Sequence, residues 1–404
     1  MADSRDKIPQ PDRSLALAFG GLAAMAAALG IGRFVYTPIL PAMLSALGWS
    51  KSDAGLVASA NFLGYLIGAL LAGLPFAVTR PRASLLAALI VSTISTAAMA
   101  LPSDLAWFAG LRFIGGIASA FVIVCASTLV LERLSLAGRG SLSAIHFAGV
   151  GFGIMISAAT VSAMLAWGVG WQGLWIGSGS IALLTTIAAA MLVPSTPHTA
   201  PAPQPTNPNA GPAGAGKMIL AYGLFGFGYV ITATFLVTIV RLSDEVRALE
   251  PWVWVLFGLA AIPSVSFWGW LAARIGITNA FATACVIEAI GVAASVEWVT
   301  IPGVCVSALL LGGTFMGITA LGFMAVRVLS AGASHRAFGR MTASFSIGQM
   351  VGPLLAGVLA EQFGGFRAAS LAAAAALMAA AALALWTSVT AKTRLSTYLT
   401  ANGA

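Results

Sequence analysis

Two arginines sit inside otherwise apolar stretches: Arg33 in a run from about 14 to 47, and Arg112 in a run from about 105 to 131. A guanidinium stays charged at any physiological pH. In a hydrocarbon slab it costs about 2.5 to 3.5 kcal/mol on insertion scales, so it must meet water, an acid, backbone carbonyls or an anionic ligand. Arg33 lies roughly 28 Å of helical rise from the start of its run, too deep to reach either surface easily. One reading makes it a bidentate anchor for a carboxylate, phosphate or sulfonate; the other caps it with carbonyls where Pro38 and Pro41 break the helix. Arg112, about 10 Å below the end of its own helix, binds backbone carbonyls, serves ligand and proton chemistry, or does both. Glu288 is the only acid in the middle of an apolar run, and reads as a packed acid or a proton-coupling group. His146 titrates in a useful range and is a second proton-coupling candidate, or an interfacial hydrogen-bonding histidine. Tyr36, Asn61, Tyr229, Thr232, Thr314 and Gln349 are the sparse polar groups nearby. Each can bond a solute or bridge helices.

The elements that must position these groups follow from composition. Of 404 residues 59% are hydrophobic and 8% charged, with a mean hydropathy of +0.96, whereas soluble domains are about 25% charged. A soluble enzyme is excluded, and an integral membrane protein remains. Apolar runs broken by Pro, Gly or charge predict helices at about 14–47, 53–77, 83–101, 105–131, 140–166 and 172–193, then 218–240, 251–273, 279–298, 302–328, 339–362 and 368–390. Between the two sixes, residues 194–217 carry seven prolines and one formal charge, suited to an extended tether. The expected layout is therefore a tail at 1–13, a six-helix bundle at 14–193, a linker at 194–217, a second bundle at 218–390 and a tail at 391–404.

The formal net charge of +8 does not mark nucleic-acid binding, because the cations are scattered. Fourteen of the twenty Lys and Arg fall on the side of the termini and linker, against Lys51, Arg241, Arg247 and Arg367 on the other. That asymmetry predicts cytoplasmic termini and linker. Cys125, Cys285 and Cys305 lie in apolar segments and read as small buried residues. The tryptophans at 49, 107, 171, 252, 254 and 298 read as an interfacial belt. No phosphate-binding loop, His/Cys metal cluster or paired carboxylate is present in the sequence, so neither a cofactor nor a metal is expected.

The halves also resemble one another. Gly30, Gly32, Arg33, Tyr36 and Pro38 recur 196 residues later as Gly226, Gly228, Tyr229, Thr232 and Thr234, and Gly149 and Gly153 find counterparts in Gly348 and Gly352. An even helix count per repeat relates the halves by an axis along the membrane normal.

With these motifs on the page, the whole chain resembles the major facilitator superfamily of secondary transporters. Gly269-x-Leu271-Ala272-Ala273-Arg274-x-Gly276 is similar to its cytoplasmic loop signature, with Ala273 at the acidic position and Ala77 likewise in the first-half copy. Arg112, Gly116 and Ala120 resemble its helix 4 motif. More narrowly, the segments from Gly30 to Met43, Gly312 to Thr319 and Ser344 to Pro353 resemble the YbfB/YjiJ branch. Gly149 to Gly153 lacks the proline of the drug-antiporter motif. The resemblance implies twelve transmembrane helices in two pseudo-symmetric six-helix bundles, a monomer in the cell inner membrane, and alternating access around a central cavity lined by helices 1, 4, 7 and 10. It also places helix 9, and with it Glu288, at the periphery.

Two buried cations with no acid in the cavity favour a small organic anion, moved by proton symport or anion exchange. The alternative is a proton-coupled exporter of neutral or amphipathic metabolites or drugs, with Arg112 structural and Met316 and Phe323 among the contacts. A more distant alternative is a lipid-handling or receptor protein on the same scaffold.

Overall fold

The computed structural model describes residues 13–101, 104–194, 215–330 and 335–401. All but the last residue of the expected tail at 1–13, most of the linker, and residues 402–404 of the expected tail at 391–404 fall outside those residues. Twelve helical spans follow in order: α1 Ser14–Leu47, α2 Lys51–Leu71, α3 Pro81–Ala98, α4 Leu105–Leu136, α5 Ser143–Ala166 and α6 Trp171–Leu192. The second set is α7 Ala215–Arg241, α8 Glu250–Ala261 with Ser264–Ile275, α9 Ile277–Glu297, α10 Ile301–Leu329, α11 His335–Gln362 and α12 Arg367–Ala401. No strand occurs among the described residues. Local chemistry sets several ends. Ser50 and Asp53 cap each other's backbone at the start of α2, and Asp104 accepts from the Trp107 amide to open α4. Gly48 supplies the left-handed turn after α1.

Two predicted spans are not single straight helices. α8 bends by 44° at Ile262 and Pro263, where proline removes a helical donor. α1 breaks from Ala26 to Val35, ahead of Pro38 and Pro41, which lie in its second helical half, Tyr36–Leu47. The predicted end of helix 2 is a separate short helix, Pro75–Thr79, and α12 continues past its expected end at 390.

The helices of each half pack on one another through close glycine contacts. A methyl on Gly30 would lie 2.6 Å from the Cα of Gly153, and one on Gly226 would lie 2.6 Å from the Phe345 carbonyl. The crossings of α1 with α5 and of α7 with α11 are thus built the same way. Between halves, α2 packs on α11, α5 on α8, and the second part of α1 on α7. Let the linker end be the one where α6 leaves and α7 enters, and the far end its opposite. From midspan to the far end the halves are joined by Thr37 Oγ1 to Ala233 O (2.8 Å), Ser59 Oγ to Met350 O (2.7 Å) and Ser162 Oγ to Pro251 O (2.7 Å). At the rim, Lys51 Nζ donates to Ala360 O (3.3 Å) and the Ser52 amide to Glu361 Oε1 (2.8 Å). The molecule is sealed at its far end.

The tryptophans divide. Trp107, Trp252 and Trp298 are exposed, but Trp171 and Trp254 are buried, which corrects the expected belt. Trp254 stacks on Phe257, with ring centroids 4.3 Å apart.

Candidate substrate site

The site begins with the break in α1. Ala26–Ile31 winds as a wider turn, with amides of Gly32 and Phe34 bonding five residues back to Ala27 (2.9 Å) and Leu29 (3.2 Å). Pro38 has no N–H to offer the Phe34 carbonyl, and the Thr37 amide turns to that carbonyl (3.2 Å), leaving Arg33 O without it. Arg112 supplies the missing donors. Its Nη1 bonds Gly32 O and its Nη2 bonds Arg33 O, both at 2.7 Å. Asn61 steadies the arrangement from α2 by donating to Arg112 O (2.8 Å), and Tyr36, whose ring lies 5.2 Å from the Arg112 guanidinium, spends its hydroxyl on Ala54 O (2.9 Å).

Arg33 itself points across the boundary between halves. Its Nη2 donates to Gln349 Oε1 on α11 (2.9 Å), and Gln349 Nε2 in turn meets the Tyr229 hydroxyl on α7. Arg33 is 5% exposed, and its guanidinium lies 4.5 Å from the Tyr65 ring, 4.7 Å from Phe62 and 5.6 Å from Phe34. Such faces attract a cation without neutralising it. Among the described residues neither Arg33 nor Arg112 pairs with a carboxylate, and Arg33 Nε has no hydrogen-bond partner. The space beside it, bounded also by Thr37, Ala58, Val230 and Thr234, is about 10 Å³, room for one water but not for a solute. Loading therefore requires the halves to part.

Of the residues singled out in the sequence, Arg33, Tyr229 and Gln349 come together directly, with Arg112, Tyr36 and Asn61 behind them. The Thr232 hydroxyl is buried without a partner, while Thr314 bonds its own helix at Leu310 O (2.6 Å). Met316 is buried on α10, and Phe323 stands apart against Tyr222 and Phe338, with centroids 5.8 and 6.1 Å away. Glu288 is fully buried on α9 near Thr314, and both its carboxyl oxygens lack a partner. His146 is buried against Gly21 of α1 with Ser127 Oγ 3.4 Å from its Nε2, remote in sequence and contact from the arginine cluster. At the loop signature, Arg274 lies over the Trp270 ring (3.8 Å), Gly276 makes a turn with φ of +89° and Gly269 faces open space.

Sequence reasoning missed Phe62, Tyr65 and Thr37. The first two are ordinary aromatic positions of α2, three residues apart and so on one helical face, which becomes informative only once Arg33 is placed opposite. Phe315 was missed too; it bridges Phe34 (5.8 Å) in one half to Tyr229 (5.9 Å) in the other.

Comparison with known proteins gives three findings. A family described as "Uncharacterised MFS-type transporter YbfB" matches residues 25–385. No curated protein matches. Among solved structures, the nucleoside transporter NupG superposes with a TM-score of 0.68 at 14% identity, covering 93% of this chain and 98% of NupG. A point mutant of NupG gives 0.67 at 14% identity, with 93% and 99% covered. At that identity the likeness shows the fold.

Proposed function

This chain belongs to the YbfB-type family of the major facilitator superfamily, and from that premise we propose that it carries a small organic anion, of carboxylate type, across the inner membrane by alternating access. It is a multi-pass membrane protein of a transporter family; in our reading it performs no covalent chemistry, works as a monomer and keeps termini and linker in the cytoplasm, where the excess of Lys and Arg lies. The conformation sealed at the far end is then closed to the outside.

One observation carries the substrate reading: Arg33 is buried, is in no ion pair among the described residues, and holds an unpaired Nε between aromatic faces. A carboxylate entering there offsets the charge and accepts paired bonds. Arg112 contributes by position, since its donors are spent on the backbone of α1. Gln349 and Tyr229 are the groups that exchange Arg33 for ligand as the halves move. Coupling is by proton symport, with Glu288 ahead of His146 as the carrier because Glu288 lies beside Thr314 and in electrostatic range of Tyr229, or by anion exchange.

The test is a thermal-shift panel of carboxylates, phosphates, sulfonates and nucleosides at two pH values, since a specific ligand raises the midpoint by mass action, followed by uptake into liposomes. Carboxylates should stabilise the wild type, Arg33→Gln should abolish the shift, and Arg33→Lys should restore it only in part. Stabilisation by nucleosides alone, undiminished in Arg33→Gln, would reject the anion reading. Glu288→Gln separates the coupling modes: loss of pH-driven uptake with counterflow intact supports symport.

A further inference from the structure

We propose that a lateral groove between α3 and α4 binds one anionic phospholipid, its acyl chain in the groove and its phosphate on Arg80. The groove holds about 520 Å³ and opens to the side of the protein. Ala87 and Val91 of α3 form one wall, Ile117 and Phe121 of α4 the other, and Phe76 closes the linker end with its ring 6.0 Å from Phe121. From Arg80 to Val91 it runs about 16 Å at helical rise, the depth of one leaflet of a roughly 30 Å hydrocarbon core. The groove is thus as long as a single chain reaching from headgroup level to midplane.

Charge selects the occupant. No acidic residue lines the groove, and none occurs anywhere from Gly73 to Arg82. The neighbouring Arg82 is satisfied, donating to Val193 O and Ala190 O (both 3.0 Å) at the end of α6. Arg80 is exposed at the groove mouth, with no carboxylate to pair with among the described residues. An apolar slot one leaflet deep with a free guanidinium at its mouth is complementary to a lipid with a net negative headgroup, and less so to a zwitterionic one. The same lipid spans α3, α4 and the short helix at Pro75–Thr79, bracing the loop between α2 and α3.

The experiment uses full-length protein in vesicles of equal phosphatidylglycerol and phosphatidylcholine with matched chains; lipids retained after extraction are counted by native mass spectrometry. Wild type should retain phosphatidylglycerol about five-fold over phosphatidylcholine, the effect of one arginine near a membrane surface. Arg80→Gln should bring the ratio to parity, and Arg139→Gln, an exposed cation outside the groove on the same side, should leave it unchanged. Ala87→Trp, which puts an indole in the slot at an exposed position, should lower the amount of both lipids retained. An unchanged ratio in Arg80→Gln overturns the headgroup assignment. Undiminished retention in Ala87→Trp overturns the placement of the chain.

Discussion

α1 and α7 occupy equivalent places in the two halves, 196 residues apart, and they are built differently. α7 is one continuous helix from Ala215 to Arg241, whereas α1 is interrupted from Ala26 to Val35. Arg33 corresponds to Tyr229, and Pro38 to Thr234, which keeps its N–H. The supporting residue differs to match: Arg112 in α4 corresponds to Ala308 in α10, although Gly116 and Gly312 keep the same register. A helix that frees carbonyls needs a donor from outside, and a helix that frees none can be braced by a methyl. The asymmetry places a cation on one side of the pseudo-axis and a phenol on the other, with Gln349 joining them.

The largest test of that comparison is Arg112→Leu. It strands two buried carbonyls, each worth about 1 to 3 kcal/mol, and should produce the lowest unfolding midpoint in detergent of any substitution in this cluster. Ala308→Gly, its counterpart, should cost about 1 kcal/mol. Equal losses would mean that the break in α1 does not depend on Arg112.

Next in size is the contrast between Arg33 and Tyr229 in ligand binding. Removing a charged donor costs about 1.5 to 3 kcal/mol, so Arg33→Gln should weaken the anion on the order of 100-fold. Tyr229→Phe removes one neutral hydroxyl and should weaken it roughly five-fold. Titration of whichever carboxylate gives the largest thermal shift provides both numbers.

A double-mutant cycle sharpens the argument about the break. Pro38→Ala restores an N–H to the Phe34 carbonyl and frees the Thr37 amide for Arg33 O, as in an unbroken helix. The stability cost of Arg112→Leu should then fall by about 1 kcal/mol, read from the four midpoints of the cycle. Simple additivity would detach the proline from the break.

Much of this was legible in the chain, and the illegible part has a physical character. The spans, their number and their internal duplication follow from hydropathy and glycine spacing, because lipid forces every backbone group into a helix. That Arg112 can hold carbonyls of α1 was one of two readings, and it came from the resemblance to the helix 4 motif rather than from depth or residue type. What could not be read was the partner of Arg33, 316 residues away on α11, since nothing local encodes a bond between halves. The sequence marks α1 for bending both at Gly30 and Gly32 and at Pro38 and Pro41, and the departure from regular winding starts at the glycines, from Ala26 onward; α7 carries the matching Gly226 and Gly228 and stays continuous. The wider turn there is set by packing against α5, where Gly30 meets Gly153. Trp171 and Trp254 were misplaced for a similar reason: a tryptophan near a helix end is interfacial only if no neighbouring helix covers it.

The smallest effect belongs to the contact on the pseudo-axis itself. Thr37 and Ala233 are equivalent positions in the two repeats, and the Thr37 hydroxyl donates to the Ala233 carbonyl at 2.8 Å. The bond exists only while the far end is shut, so it stabilises that state alone. Thr37→Val removes the donor while keeping the shape. One neutral hydrogen bond contributes about 1 kcal/mol, so the population open at the far end should rise about five-fold. Spin labels at Ser45 and Leu242, which flank one far-end cavity from opposite halves, report that population as a longer distance, in a background with the three native cysteines replaced. Ser59→Ala, which removes the bond to the Met350 carbonyl, should shift it by a similar amount, and the two should add because they touch different helices. If neither variant lengthens the distance, the far end is held by the packing of α2 on α11 and the bonds at its rim, and the Thr37 and Ser59 hydroxyls are bystanders to the gate.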